Sequence, residues 1–109
     1  MASNVAGRLG ICRRSGHLAI GTDAVLGWMR DGKACVVLTA ADLSQKTEKE
    51  IRFVAEKHPV SLRQMPLSKD EVGQALGLLK PVGVVATDDR GFATAFEKDC
   101  PDRQEEDAL

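Results

Sequence analysis

Apolar residues recur along the chain with two alternating periods. Val5, Leu9 and Cys12 keep helical spacing until Ser15-Gly16, where glycine supplies a left-handed stop. His17 to Ile20 forms a short strand candidate ending at Gly21. Thr22-Asp23 opens a second helix with Val25, Leu26 and Met29 on one stripe and Gly32 closing it. Ala34 to Ala40 is almost unbroken in apolar character, the pattern of a strand covered on both faces. Ser44 and Thr47 compete as caps, and Thr47 to Glu50 reads as a capping box. The stripe Ile51, Val54, Ala55 and His58 follows, and Pro59 ends it.

Val60 to Met65 is mixed in polarity, which suits a strand nearer a sheet edge. A capping box at Ser68 to Glu71 opens a short helix with Val72, Ala75 and Leu76 inward and Gly77 as its stop. Val82 to Thr87 is a second buried-type strand, and Asp88-Asp89-Arg90-Gly91 turns into a last helix carrying Phe92, Ala93 and Phe96. This alternation predicts an α/β sandwich, one sheet of about four strands with helices on both faces.

Composition narrows the class. With 109 residues and 43% hydrophobic content the chain holds one domain and one small core. No apolar run is long enough to span a membrane and no secretory pattern opens the chain, so a soluble cytoplasmic protein is expected. The three cysteines are odd in number and widely spaced, which excludes a disulfide framework and a zinc knuckle. Two of them lie inside apolar stretches and read as small buried hydrophobes. With no Tyr, one Trp and three Phe, an exposed aromatic stacking platform is not expected, and Trp28 reads as core or shoulder packing.

The formal net charge of −1 conceals an asymmetry. From Glu97 onward there are six acids and two bases, which leaves the preceding body near +3. Residues 1–98 are therefore expected to form the domain and residues 99–109 an acidic, flexible C-terminal tail.

Nucleotide-binding glycine fingerprints are absent, and neither His17 nor His58 has a partner at metal-ligand spacing. His58 suits a helix C-terminus as a dipole partner. Asp88-Asp89, after a buried strand, could hold a metal or phosphoryl group, but a cap and Asx turn explains the pair better. Around Gly21-Thr22-Asp23 a strand runs into a helix start, whose free amides make an anion site that a glycine lets a ligand approach closely. Arg13, Arg14 and His17 lie just upstream and are expected to reach the same ligand and supply phosphate contacts.

Taken in order, four segments carry a resemblance. They are Gly21 to Leu38, with Arg30-Asp31-Gly32-Lys33-Ala34 at its centre; Ala40-Ala41-Asp42-Leu43-Ser44; Pro66 to Gly77; and Val84 to Ala93. Together they resemble the ribosomal protein L-seven-Ae family of kink-turn RNA-binding ribosomal proteins, most nearly its YlxQ-like bacterial branch. The resemblance implies an α/β fold, a three-layer α/β/α sandwich with one mixed sheet of about four strands, that binds RNA without catalysis, cofactor or metal. It places RNA on Gly21, Thr22 and Asp23 and on the loop Leu78 to Val82. Lys80, Pro81 and Val82 would there offer a cation and apolar packing, and Lys33 would flank the same end.

Structured RNA, ribosomal or other non-coding, is the implied partner, with ribosomal or RNA-processing proteins as neighbours and the chain itself a monomer. The strongest kink-turn binders of the family read G-x-N-E-x-x-K, where this chain has Asp23, Ala24 and Gly27. Each lost base contact is worth on the order of 1–3 kcal/mol, so weakened recognition is expected. A protein-interaction module on the same fold is the alternative.

Overall fold

A computed structural model describes residues 4–100. The elements, in order, are α1 (Asn4–Arg14), β1 (Leu18–Ile20), α2 (Thr22–Arg30), β2 (Val36–Thr39), α3 (Gln45–Lys57), β3 (Ser61–Gln64), α4 (Lys69–Ala75), β4 (Val84–Thr87) and α5 (Arg90–Asp99). The four-stranded sheet has the order β1-β4-β2-β3. β4 runs antiparallel to both neighbours, with Ile20 and Leu38 each opposite Val85, while β2 and β3 are parallel with Thr39 opposite Gln64. The sheet is therefore mixed. One end, here called the upper end, gathers the finishes of β1, β2 and β3 and the start of β4.

Side-chain alternation assigns the layers. Val36, Leu38 and Val85 pack with Leu9, Met65, Val72 and Phe96 under α1, α4 and α5. Val37, Val84 and Ala86 pack on the other face with Val25, Met29, Ile51 and Val54 of α2 and α3. Both inner strands are thus buried along their whole length, as their unbroken apolar runs predict. β3 is only half-buried and lies at the edge, as its mixed polarity predicts.

Local chemistry decides the ends of the elements. Ser44, in extended conformation, accepts from the Thr47 amide at 3.3 Å, so α3 opens at Gln45 and the expected Thr47 box falls inside the helix. The Ser68–Glu71 box is formed as expected, with Ser68 N–H donating to Glu71 at 2.8 Å and Glu71 N–H to Ser68 at 3.2 Å. Helix α5 continues through Asp99, and Cys100 is buried, its carbonyl accepting from Arg63 at 3.4 Å. The expected tail boundary at residue 99 thus falls within packed structure, and residues 101–109 lie outside the described residues. No helix among the described residues is long and apolar enough to cross a membrane.

Burial sets the chemistry of two thiols. Desolvation pushes Cys100 up to about 11, helped by Asp99, and raises Cys12 despite its bond to Thr87. The unfolded chain releases these protons near pH 9, so the stability each thiol contributes is complete below that value. For Cys100 it declines between pH 9 and 11 by at most about 1.4 kcal/mol per pH unit. Denaturant titrations of wild type and Cys100→Ala across that range should show a shallower decline in the variant. An unchanged slope would mean Cys100 ionises without resistance.

Candidate functional site

The upper end is built around a glycine. Gly21 joins β1 to α2 at φ 93°, ψ 162°, a conformation closed to residues with a Cβ. Its N–H donates to Val84 O at 2.9 Å and its carbonyl accepts from Val25 N–H at 3.0 Å, which sets the first turn of α2 against the start of β4. No side chain caps this helix. The amides of Thr22, Asp23 and Ala24 therefore leave the end of the sheet as outward donors with a positive dipole end behind them. Asp23 and Ala24 are exposed, and the space around Gly27, one turn on, is open: a Cβ there would meet no heavy atom within 4 Å.

The second wall is the segment between α4 and β4. After Gly77, with φ 75°, the chain doubles back along α4. Leu78 N–H donates to Gly73 O at 2.9 Å and Val82 N–H to Lys69 O at 3.0 Å. Leu79, Lys80 and Pro81 are exposed, Leu79 completely so. Val82 is not available for packing on a ligand, contrary to expectation, because its side chain is buried in the core beneath α4. Leu79 is the fully exposed apolar side chain of the same loop.

Sequence reasoning passed over Lys69. Its backbone N–H donates to Asp42 Oδ1 at 2.8 Å, tying the β2–α3 loop to α4. Its aliphatic stem lies over Gly83, where a Cβ would sit 3.7 Å from Lys69 Cδ and 2.8 Å from Leu43 Cδ1. A cation thus stands beside the start of β4, close to the α2 terminus. The available signal was the Ser68 capping box, which begins its helix where a strand has just ended.

The remaining expected cations are elsewhere. Nine residues of α2 advance about 13 Å, so Lys33 beyond its C-terminus belongs to the lower end and not beside Gly21. His17 precedes β1 and meets it there. His17 Nδ1 donates to Asp88 Oδ1 at 2.8 Å, and Lys33 Nζ lies 3.8 Å from Asp88 Oδ2 and 4.4 Å over the Trp28 ring. Arg13 donates to the carbonyl of Leu76, the C-cap of α4, and Arg14 is exposed at the end of α1. Asp89 caps α5 by accepting from Phe92 N–H at 2.9 Å. Asp88 and Asp89 are thus engaged in an ion cluster and a helix cap. Of the ten expected contacts, the upper end brings together Gly21, Thr22, Asp23, Lys80, Pro81 and the backbone of Val82.

Comparison with known proteins agrees with this architecture. The model of the Ribosomal protein L7Ae/L30e/S12e/Gadd45 family matches residues 3–97. The chain is 31% identical to RNA-binding protein YlxQ of Enterococcus faecium over 85 residues, covering 78% of this chain and 80% of that protein. It is 28% identical to the large ribosomal subunit protein eL30 of Yarrowia lipolytica over 88 residues, 81% of each. Among solved structures, a Bacillus halodurans protein of unknown function superposes with a TM-score of 0.80 at 18% identity, covering 89% of this chain and 96% of that one. The Giardia lamblia 15.5kD RNA binding protein does so at 0.69 and 18% identity, covering 84% and 79%.

Proposed function

Because the chain belongs to the Ribosomal protein L7Ae/L30e/S12e/Gadd45 family, we propose that it is a non-catalytic RNA-binding protein seating structured, kink-turn-like RNA on its upper end. The RNA-binding relatives in Enterococcus and Giardia support the reading. The observation that carries it is the uncapped start of α2 docked on β4, opposite the exposed Leu79-Lys80-Pro81 segment.

Each part has a physical role. The first-turn amides of α2 donate to phosphate oxygens or base carbonyls, and Gly21 lets the nucleic acid approach the backbone. The Asp23 carboxylate accepts from a guanine N–H but cannot donate to a carbonyl. Lys69 and Lys80 neutralise phosphates. Leu79 and Pro81 pack against an unstacked nucleotide. Discrimination is modest, since Ala24 and Gly27 supply no base contact. The RNA in view is ribosomal or another non-coding species in the cytoplasm, bound by a monomer beside ribosomal or RNA-processing proteins.

Fluorescence anisotropy against a kink-turn RNA and a straight duplex tests this at about 50 and 200 mM salt. Wild type is expected to prefer the kinked RNA by roughly tenfold and to lose about a hundredfold in affinity over that salt range. Leu79→Glu/Lys80→Glu, both at exposed positions, should abolish the preference. Equal binding to both RNAs would remove the kink-turn reading. No binding to either would leave the protein-interaction alternative.

A further inference from the structure

The cleft between the C-terminal ends of α2 and α3 lies at the lower end of the sheet and plays no part in the site above. It encloses about 350 Å³ between Met29–Gly32 and Ala34 on one side and Lys57–Val60 on the other. Arg30, Lys57 and His58 line it against one carboxylate, Asp31, and all four are exposed. Arg30 and Lys57 stand in the last turns of their helices, where the negative dipole ends favour cations. Neither joins an ion pair among the described residues.

Aromatic residues neighbour two of its lining residues along the helices, Phe53 one turn before Lys57 and Trp28 next to Met29. Lys57 lies 4.7 Å over the exposed Phe53 ring, and Lys33 lies 4.4 Å over the half-buried Trp28 ring. At the upper end, by contrast, Asp23, Asp42, Asp70 and Glu71 balance Lys46, Lys49, Lys69 and Lys80.

We propose that this lower cleft is a second RNA contact, holding the phosphodiester backbone of a strand that passes the ends of α2 and α3. Arg30 and Lys57 would pair with successive phosphates and His58 would donate to one of them, while the exposed Phe53 ring offers stacking surface for an adjacent sugar or base. An acidic peptide would meet the same charges but make less use of the Phe53 ring. The assignment takes RNA as the polyanion from the reading above, but it uses none of the upper-end residues.

The test is anisotropy of a labelled straight RNA duplex, which lacks a kink, with unlabelled polyglutamate as competitor. Arg30→Glu/Lys57→Glu is compared with Lys46→Glu/Lys49→Glu, which makes the same charge change at exposed positions near the other end of α3. The cleft pair should weaken duplex binding at least about tenfold and reduce the log–log salt slope by about 2, while the control pair changes affinity less than about threefold. Arg30→Gln/Lys57→Gln, which does not oppose the helix dipoles, should act in the same direction with a smaller step. Kink-turn preference should survive in all of them.

An equal loss from both Glu pairs would reduce the effect to net charge and overturn the cleft. Displacement of RNA by polyglutamate at matched charge would overturn RNA as its ligand. Kink-turn binding with no duplex binding would overturn the cleft alone, whereas no binding to either RNA would overturn both readings.

Discussion

The variant Asp23→Asn/Ala24→Glu/Gly27→Lys is expected to bind kink-turn RNA at least about a hundredfold more tightly than wild type. It writes the G-x-N-E-x-x-K pattern of the family's strong binders onto a helix start whose backbone already has the necessary shape. The structure accepts all three changes. Asp23 and Ala24 are exposed, and a Cβ on Gly27 meets nothing within 4 Å. Asparagine restores a donor, glutamate an acceptor and lysine a cation, each worth on the order of 1–3 kcal/mol when the base pairing is matched.

Three such contacts supply about 3–9 kcal/mol, which covers the roughly 2.8 kcal/mol that a hundredfold requires. The carboxylate lost at Asp23 is offset by the one gained at Ala24, so the net charge of the helix start changes only through Gly27→Lys. Gly27→Lys should in addition strengthen α2 by about 0.5–1 kcal/mol, since glycine is a poor residue for a helix interior. Affinity for the straight duplex should rise far less, because a lysine helps any phosphate but asparagine and glutamate read only presented base edges. An unchanged kink-turn affinity in a folded variant would mean that RNA does not sit on the start of α2.

Much of this framework is legible in the chain itself. Alternation of helical stripes with the apolar runs Ala34–Ala40 and Val82–Thr87 specifies helices on both faces of a sheet, and mixed polarity at Ser61–Gln64 marks the edge. The Ser68 box is formed because its two hydrogen bonds are local. The Thr47 box is not, because Ser44 three residues earlier satisfies the same amide and starts the helix first. Local competition of this kind is decided by the preceding loop, which the box pattern does not contain.

Placement of the cations is harder to read because it depends on strand order. Lys33 and His17 look close to Gly21 in sequence, yet a nine-residue helix and a three-residue strand carry them to the other end. Element length alone would have located them there. Their meeting with Asp88 needs more: β4 must insert between β1 and β2 in the antiparallel sense, and no local period announces that. Val82 differs again, since it lies in a loop yet belongs to the core. The chain between Gly77 and Gly83 is held flat against α4, and this buries one side chain and exposes the next three upstream.

That close contact makes Gly73→Ala the most damaging small substitution expected in the domain. A Cβ at Gly73 would sit 2.1 Å from Lys80 O and 3.1 Å from Lys80 C, both backbone atoms, so no side-chain rotation can relieve the clash. The returning segment must move off α4, straining or breaking the bonds Leu78 N–H to Gly73 O and Val82 N–H to Lys69 O. Overpacking and the lost hydrogen bonds together should destabilise the domain by about 3 kcal/mol. For a domain this small that corresponds to a fall in Tm of about 15 °C.

Gly27→Ala is the matched control, since the same methyl group there enters open space in a helix interior and should stabilise by about 0.5–1 kcal/mol. Calorimetry on the pair checks the sign as well as the size. Gly73→Ala also carries a functional consequence, because Leu79, Lys80 and Pro81 ride on the displaced segment. At a temperature where the variant is folded, its preference for kinked over straight RNA should disappear while its binding to the straight duplex persists through the lower cleft. Retained preference in a destabilised variant would separate the segment's structural role from RNA recognition and place the second wall of the site elsewhere.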